Sequence, residues 1–193
     1  MYWIIRISIF AKSKQGNAGQ IICHIEPEIW AEVDETLYIR MMINLLSNAL
    51  RYGEGRDIEV SLSVHNDSDI IGKVKDHGIG ISKGDIPHIW ERFYRADKSR
   101  TGGSHCGLGL SMVKWIAEAH GGSVEVVSKE GEGSEFVFHL RKSKSWQDNV
   151  NLFSFFNVIL IFLGYSNLIK ENKGINRSLE SNVFKVKVNA DVK

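Results

Sequence analysis

Hydrophobic and polar residues in the middle of the chain follow two different periods. Apolar positions spaced three and four residues apart predict a helix over Glu35–Tyr52, which begins after the N-cap residue Asp34 and ends at Gly53. The apolar stripe of that helix comprises Ile39, Met42, Ile43, Leu46, Ala49 and Leu50. Strict alternation then predicts a half-buried strand through Ile58, Val60, Leu62 and Val64.

Other segments complete an alternation of strands and helices. We expect short strands over Ile21–Glu26 and Ile29–Asp34, a returning strand over Ile70–Asp76, and a short helix opened by Ser82 and Asp85 that reaches Phe93. Beyond an irregular loop over Tyr94–Cys106, we expect a helix over Leu108–His120 and a hairpin formed by Ser123–Ser128 and Glu135–Arg141. This order predicts an α+β two-layer sandwich, with a mixed, mostly antiparallel sheet packed on helices by one face.

The chain of 193 residues divides into three zones. Residues 1–20 are interpreted as a poorly ordered extension or an edge strand, and residues 21–142 as the folded domain. Residues 143–193 form a tail of unknown role, in which residues 150–165 are apolar. Because a membrane span needs about 20 apolar residues, a buried or interfacial helix is the favoured interpretation of that run.

Composition narrows the classes of function. A formal net charge of +1 provides no broad electrostatic footprint for nucleic acid or an anionic membrane. The two cysteines, Cys23 and Cys106, are too few for a disulfide framework. Twelve of the 18 glycines lie between Gly72 and Gly133, which predicts a site lined by backbone in the middle of the chain.

Three features there carry candidate chemistry. Asn44 and Asn48 share one face of the first helix, and their amide oxygens are suitable ligands for Mg²⁺. Arg51 lies one turn further along the same face, where it could bind a phosphate. The alternative interpretation is that both asparagines simply face solvent. Asp76 ends a strand in phase with its inward positions, and a buried carboxylate needs donors such as the exocyclic amine of adenine. A strand ended by an ordinary turn would explain that feature equally well.

The third feature is a glycine-rich run, residues 101–110, that leads straight into the second helix. Free backbone N–H groups and a helix N-terminus together form an anion site suited to phosphates. The spacing matches neither a Walker-type nor a dinucleotide-binding loop, and a flexible linker is the alternative.

In this order, the motifs resemble the ATP-binding catalytic domain of bacterial sensor histidine kinases, the Bergerat-fold group shared with gyrase-type ATPases. Residues 44–52 resemble the N box, residues 76–81 the G1 box, residues 90–95 the F box and residues 107–110 the G2 box. Residues 132–136 resemble the closing hairpin of the family. The resemblance covers residues 21–142.

The resemblance implies roles for individual residues. Asn44, Asn48, Arg51 and Arg95 would act in catalysis, with Asn48 as the Mg²⁺ ligand. It also implies a nucleotide-binding set: Asn48, Arg51, Tyr52, Asp76, Gly78, Gly80, Ile81, Phe93, Gly103, Gly107, Leu108, Gly109, Leu110 and Ser134. The implied cofactors are ATP and Mg²⁺.

Asn44 bears on the mechanism. ATP-hydrolysing relatives have Glu at this position, and an amide cannot accept a proton from water, so transfer of the γ-phosphoryl to another acceptor is expected. In the family, the acceptor is a histidine on a dimerising helical hairpin, and the phosphoryl group passes from that histidine to a response regulator. Only His24 precedes Asn44, in a predicted strand, so we expect the acceptor on a separate polypeptide.

Two alternatives compete with this hypothesis: a non-catalytic nucleotide-binding regulatory module, and a Ser-directed anti-sigma-type kinase of the same fold. The tail could also be unselected sequence. His77 and the lengthened loop at residues 104–106 depart from the family pattern; we interpret them as loop residues rather than zinc ligands. No nucleic acid is expected as a partner. The resemblance implies a cytoplasmic location, with membrane contact only through a parent protein.

Overall fold

The computed structural model describes residues 3–7, 19–26, 29–96, 106–143 and 150–151. In chain order its elements are β1 (Trp3–Ile7), β2 (Ile21–Ile25), β3 (Trp30–Ala31), α1 (Glu35–Tyr52), β4 (Ile58–His65), β5 (Asp69–Asp76), α2 (Gly109–Ala119), β6 (Ser123–Lys129), β7 (Gly133–Arg141) and β8 (Val150–Asn151).

Six strands form one mixed sheet in the order β1-β2-β4-β5-β7-β6. Strands β2 and β4 are parallel, with Cys23 opposite Val60, and α1 connects them as the crossover. All other neighbouring pairs in this sheet are antiparallel. The predicted α+β sandwich with a mostly antiparallel sheet is therefore confirmed.

The core lies between one face of the sheet and the two helices. Alternate residues of the central strands are buried there, among them Val60, Val74 and Phe138, while the intervening residues of β4 and β5 are partly or fully exposed. From α2, Ile116 enters the same core. Burying each of these side chains contributes about 1.5–3 kcal/mol, so the sheet and both helices depend on one another for stability.

Helix α1 has the predicted bounds, but its buried face is rotated from the predicted stripe. The carboxylate of Asp34 accepts a hydrogen bond from the N–H of Leu37, as an N-cap should. The most buried positions are Tyr38, Met41, Met42, Leu45, Leu46 and Ala49. Ile39, Ile43 and Leu50 are only partly buried, because they lie at the margin of the contact with the sheet.

The helix predicted from Ser82 to Phe93 is wrong. Residues 83–90 form successive turns, although the Asp85 N–H does donate to the Ser82 Oγ at 3.2 Å, as in a capping box. Backbone bonds to the Ser82 carbonyl come from the N–H groups of both Asp85 and Ile86. Bonds to the third and to the fourth preceding residue are thus mixed in this segment, and no regular helical repeat develops.

Both ends of the chain contribute strands from outside the predicted domain boundaries of 21–142. Within residues 1–20, β1 is an edge strand that pairs with β2. Strand β8 pairs antiparallel with β3, which is only two residues long instead of the predicted Ile29–Asp34. The predicted helix over 150–165 is wrong at its first two residues, and its remainder lies outside the described residues.

None of the helices in the described part of the chain is long and apolar enough to cross a membrane.

Candidate functional site

Asp76 lies at the end of β5 with its side chain directed into the protein, as its phase with Val74 predicted. The residue is 4% exposed. Its Oδ1 accepts a hydrogen bond from the Gly78 N–H at 2.9 Å. Burial raises the pKa of this carboxyl, while the backbone N–H groups of Gly78 and Ser134 and the charge on His77 lower it. A carboxylate has about four acceptor positions, so two N–H donors leave it able to accept from a further amine.

The turn after Asp76 packs closely against the C-terminal end of α1. The Ile79 N–H donates to the Tyr52 carbonyl at 3.1 Å. A Cβ on Gly78 would lie 1.8 Å from that carbonyl oxygen and 2.5 Å from the Cα of Gly53. Glycine is required at position 78 because the two backbones touch. The last turn of α1, which carries the half-exposed Tyr52, therefore lies directly against the turn that follows Asp76.

The β6–β7 hairpin packs against the same turn. Ser134 is buried and pairs with Asp76 in the sheet register. Its Oγ lies 2.9 Å from the Oγ of Ser128, which also accepts from the N–H of Ile81 at 2.8 Å. Gly80 lies beside the backbone of Lys129 in the same hairpin. Sequence reasoning missed Ser128, since a serine in an alternating strand carries no distinctive signal.

The N-terminus of α2 meets the asparagine face of α1. A Cβ on Gly109 would stand 3.4 Å from the Oδ1 of Asn44. The preceding residue, Leu108, provides no side-chain cap for the first N–H groups of α2. Asn48 and Arg51 follow Asn44 at intervals of one turn along α1, so the three polar residues share one helix face. This face and the helix N-terminus form a junction suited to an anion and a cation.

The turn at residues 91–96 is held to the entrance of α2. The Phe93 N–H donates to the Gly107 carbonyl at 2.9 Å, and both residues have positive φ, 67° and 65°. The side chain of Phe93 is 69% exposed. The Tyr94 hydroxyl donates to Oδ1 of Asp85 at 2.5 Å, an anchor that the sequence did not reveal. Arg95 is half-buried on the same turn.

The predicted residues thus form two groups joined by α1. Gathered around the Asp76 turn are Tyr52, Asp76, Gly78, Gly80, Ile81 and Ser134. Around the α2 N-terminus are Asn44, Phe93, Gly107, Leu108 and Gly109. Leu110, in the first turn of α2, is partly buried and packs against the core, and Gly103 lies outside the described residues.

His77 does not join a metal cluster. Its Nε2 lies 2.8 Å from Oε1 of Glu59 on β4. Within the part of the chain that the structure describes, no three His, Cys, Asp or Glu side chains are grouped so as to hold a metal ion. His105, the other histidine considered, lies outside that part.

The site thus combines a buried carboxylate beside a glycine turn with a helix N-terminus that has no side-chain cap, and α1 connects the two. The model of the histidine kinase-, DNA gyrase B- and HSP90-like ATPase family matches residues 33–144, and the chain belongs to this family.

Its relatives within the family are sensor histidine kinases, so the resemblance to their ATP-binding catalytic domain is confirmed. The chain is 36% identical over 132 residues to sensor histidine kinase YclK of Bacillus subtilis strain 168, covering 67% of this chain and 27% of that protein. With WalK of the same organism it shares 37% identity over 148 residues, covering 74% and 24%. The chain therefore spans about a quarter of the length of these relatives.

Solved structures agree on the fold. The full-length structure of ShkA in complex with AMPPNP superposes with a TM-score of 0.57 at 25% identity, covering 65% of this chain and 26% of that chain. The mycobacterial sensor histidine kinase MprB superposes with a TM-score of 0.58, covering 67% of this chain and 86% of that chain. At 23% identity, the second likeness concerns the fold alone.

Proposed function

We propose that this domain binds Mg-ATP between the Asp76 turn and the N-terminus of α2. The observation that carries the proposal is that one helix, α1, lies against both the Asp76 turn and the N-terminus of α2. The Tyr52 carbonyl accepts a hydrogen bond from the turn, and the Asn44 side chain faces Gly109, the first residue of α2. Asn44 and Tyr52 are eight positions apart, which corresponds to about 12 Å along the helix axis, a separation that a nucleoside triphosphate can bridge.

At the turn, the Asp76 carboxylate would accept a hydrogen bond from the exocyclic amine of adenine. Its position supports this role, because the buried side chain keeps acceptor capacity beyond its two N–H donors. A guanine base presents a carbonyl oxygen where adenine presents the amine, so the same carboxylate would repel it. Tyr52, half-exposed at the rim, would flank the nucleotide.

At the other end, the N-terminal N–H groups of α2 would hold the phosphates. Asn48 would provide an amide oxygen to Mg²⁺, with Asn44 beside it and Arg51 and Arg95 directed at phosphate oxygens. Proteins commonly bind Mg²⁺ through one or two side-chain oxygens together with the phosphates of the substrate, which suits a pair of amides. Bound there, the ion would neutralise the charge that develops on the phosphates.

We further propose that the γ-phosphoryl passes to a histidine on a separate dimerisation and phosphoacceptor domain, and from there to a response regulator. Asn44 supports transfer over hydrolysis, because its amide cannot take a proton from an attacking water. The sensor histidine kinase relatives support a histidine as the acceptor. The same kinship supports a cytoplasmic location, with membrane contact only through a parent protein.

The test combines binding and transfer. Calorimetric titration of the full chain with ATP in the presence and absence of Mg²⁺ should show metal-dependent binding, which Asn48→Ala should weaken. Labelled ATP should then transfer its γ-phosphoryl to a phosphoacceptor hairpin taken from a sensor histidine kinase. The control is Thr36→Ala, an exposed position about 12 Å nearer the start of α1 than Asn44, which should leave both measurements unchanged.

The outcomes separate the competing functions. Binding without transfer to any histidine hairpin would favour a regulatory nucleotide-binding module, and transfer to serine would favour the anti-sigma type of kinase. A flat titration in both conditions would overturn the nucleotide site itself.

A further inference from the structure

The side chain of Tyr94 is tied to the turn at residues 82–85. Its hydroxyl donates to Oδ1 of Asp85 at 2.5 Å. The other carboxylate oxygen of Asp85, Oδ2, accepts from the Ser82 hydroxyl at 2.7 Å, and the Asp85 N–H donates to the same Ser82 Oγ at 3.2 Å. Because both carboxylate oxygens and the backbone of Asp85 are engaged, the Tyr94 hydroxyl is bound to a fixed, charged acceptor.

The segment that carries this acceptor is fixed to the core. Ile89 is buried, and its N–H donates to the Asp85 carbonyl at 3.1 Å. The ring of Trp90 meets that of Phe136 on β7 in a T-shaped arrangement, with ring centroids 6.1 Å apart. The partly buried Tyr94 packs against the same core. The bond between Asp85 and Tyr94 therefore joins the turn at residues 91–96 to a well-packed base.

Beside Tyr94, the backbone takes a conformation that a side chain disfavours. Phe93 has a φ of 67°, in the left-handed region where the Cβ of an L residue crowds the backbone. Such a residue persists only where the surrounding contacts hold it. On one side of Phe93, Tyr94 is held by its hydroxyl and by its N–H, which donates to the Glu91 carbonyl at 3.4 Å. The Phe93 N–H itself donates to the Gly107 carbonyl at 2.9 Å.

The same turn fixes the entrance of α2. A Cβ on Gly107 would lie 2.7 Å from the Tyr94 carbonyl oxygen, so the two backbones touch at a second point besides the bond from Phe93. Gly107 lies two residues before Gly109, the first residue of α2, which faces Asn44. A displacement of the turn would therefore move the N-terminus of α2 relative to the asparagine face of α1.

We propose that Tyr94 is a positioning residue for the phosphates of the bound nucleotide. Through Asp85 it keeps Phe93 in the left-handed conformation, and so holds the N-terminus of α2 against α1. The inference rests on the proposed function, since it concerns the phosphate end of that site. The Asp76 turn is held separately, by bonds to Tyr52 and to the β6–β7 hairpin. Loss of the hydroxyl should therefore weaken the binding of the phosphates and spare that of the base.

The direct test is amide hydrogen exchange of the nucleotide-free full chain, measured by NMR in Tyr94→Phe. The Phe93 N–H should exchange about tenfold faster than in the wild type, which is the low end of what a hydrogen bond to a charged group contributes. The Ile79 N–H, bonded to the Tyr52 carbonyl, should exchange at an unchanged rate. Unchanged exchange at Phe93 would overturn the proposal.

Binding measurements then distinguish positioning of the phosphates from support of the whole fold. In Tyr94→Phe, calorimetry should show about tenfold weaker binding of Mg-ATP, whereas NMR titration with adenosine, which has no phosphates, should give an unchanged affinity. Asp85→Ala should have the same effect, and the double variant should bind no more weakly than either single one. Asp85→Asn keeps an acceptor oxygen for the hydroxyl and should recover most of the affinity lost in Asp85→Ala.

The matched control is Glu91→Gln, three residues before Tyr94. The Glu91 side chain forms an exposed pair with His88 at 2.7 Å. Because exposed pairs of this kind contribute little, the variant should leave both the exchange at Phe93 and the affinity for Mg-ATP unchanged.

The remaining outcomes separate this inference from the proposed function. Equal weakening of Mg-ATP and adenosine binding in Tyr94→Phe would overturn the inference, because Tyr94 would then support the fold as a whole. Faster exchange at Phe93 with unchanged affinity for Mg-ATP would also overturn it, and would leave the nucleotide site intact. A wild-type domain that bound neither Mg-ATP nor adenosine would instead overturn the proposed function.

Discussion

Gly109→Ala is the substitution that best separates the proposed phosphate site from the fold. Gly109 is the first residue of α2 and lacks a positive φ, so alanine can adopt its conformation. The new Cβ would stand 3.4 Å from Oδ1 and 3.8 Å from Cγ of Asn44, which are ordinary or slightly tight contacts. Because alanine favours helix over glycine, we expect the free energy of unfolding to stay the same or rise by up to about 1 kcal/mol.

Nucleotide binding should respond in the opposite direction. The methyl group would occupy the space between Asn44 and the first turn of α2, where the phosphates and Mg²⁺ are proposed to lie. Crowding a fitted site typically costs about 1–3 kcal/mol, which corresponds to roughly 5-fold to 150-fold weaker binding of Mg-ATP. Calorimetric titration measures the affinity, and thermal denaturation without nucleotide measures the stability.

Gly121→Ala provides the reverse control at the far end of α2, about 18 Å away. Gly121 has a φ of 66°, and a Cβ there would meet only the Nε of Arg141 at 3.9 Å. Alanine in this left-handed conformation should lower the stability by about 1 kcal/mol and leave the affinity unchanged. If Gly109→Ala bound Mg-ATP as tightly as the wild type, the phosphates would not lie at the α2 N-terminus. If Gly109→Ala unfolded the domain, Gly109 would be required for the fold and not for phosphate binding.

Three further predictions concern the turn and the first helix. Gly78→Ala should destabilise the fold by about 1–3 kcal/mol in chemical denaturation, since its Cβ would lie 1.8 Å from the Tyr52 carbonyl oxygen, whereas Gly84→Ala, whose Cβ would meet only a hydroxyl at 3.8 Å, should change little. Asp34→Ala should lower the unfolding free energy by about 1 kcal/mol through loss of the α1 N-cap; an unchanged midpoint would contradict this role. Because burial raises the pKa of Asp76, its charge opposes folding above that pKa, and this cost fades as the pH falls through it. The melting temperature of the wild type relative to Asp76→Asn should therefore increase with acidification, and a difference independent of pH would refute the argument.

Local patterns predicted the elements whose determinants are close together in the chain. The bounds of α1 follow from Asp34, an apolar repeat and Gly53, all within 20 residues of sequence. The inward direction of Asp76 follows from strand alternation alone. The same periodicity could not define the centre of the buried face of α1, since that depends on the angle at which the sheet approaches.

The sequence by itself determined the bounds of α1, the positions of the central strands and of α2, and which residue types could bind a nucleotide, because backbone propensity and side-chain period act over a few residues. Tertiary structure alone decided the parallel pairing of β2 with β4 and the pairing of β3 with β8. It also brought Gly109 to Asn44 and Glu59 to His77, residues that are 65 and 18 positions apart. Such contacts depend on how whole elements pack and register, and the energy of that packing is not encoded in any single stretch of the chain.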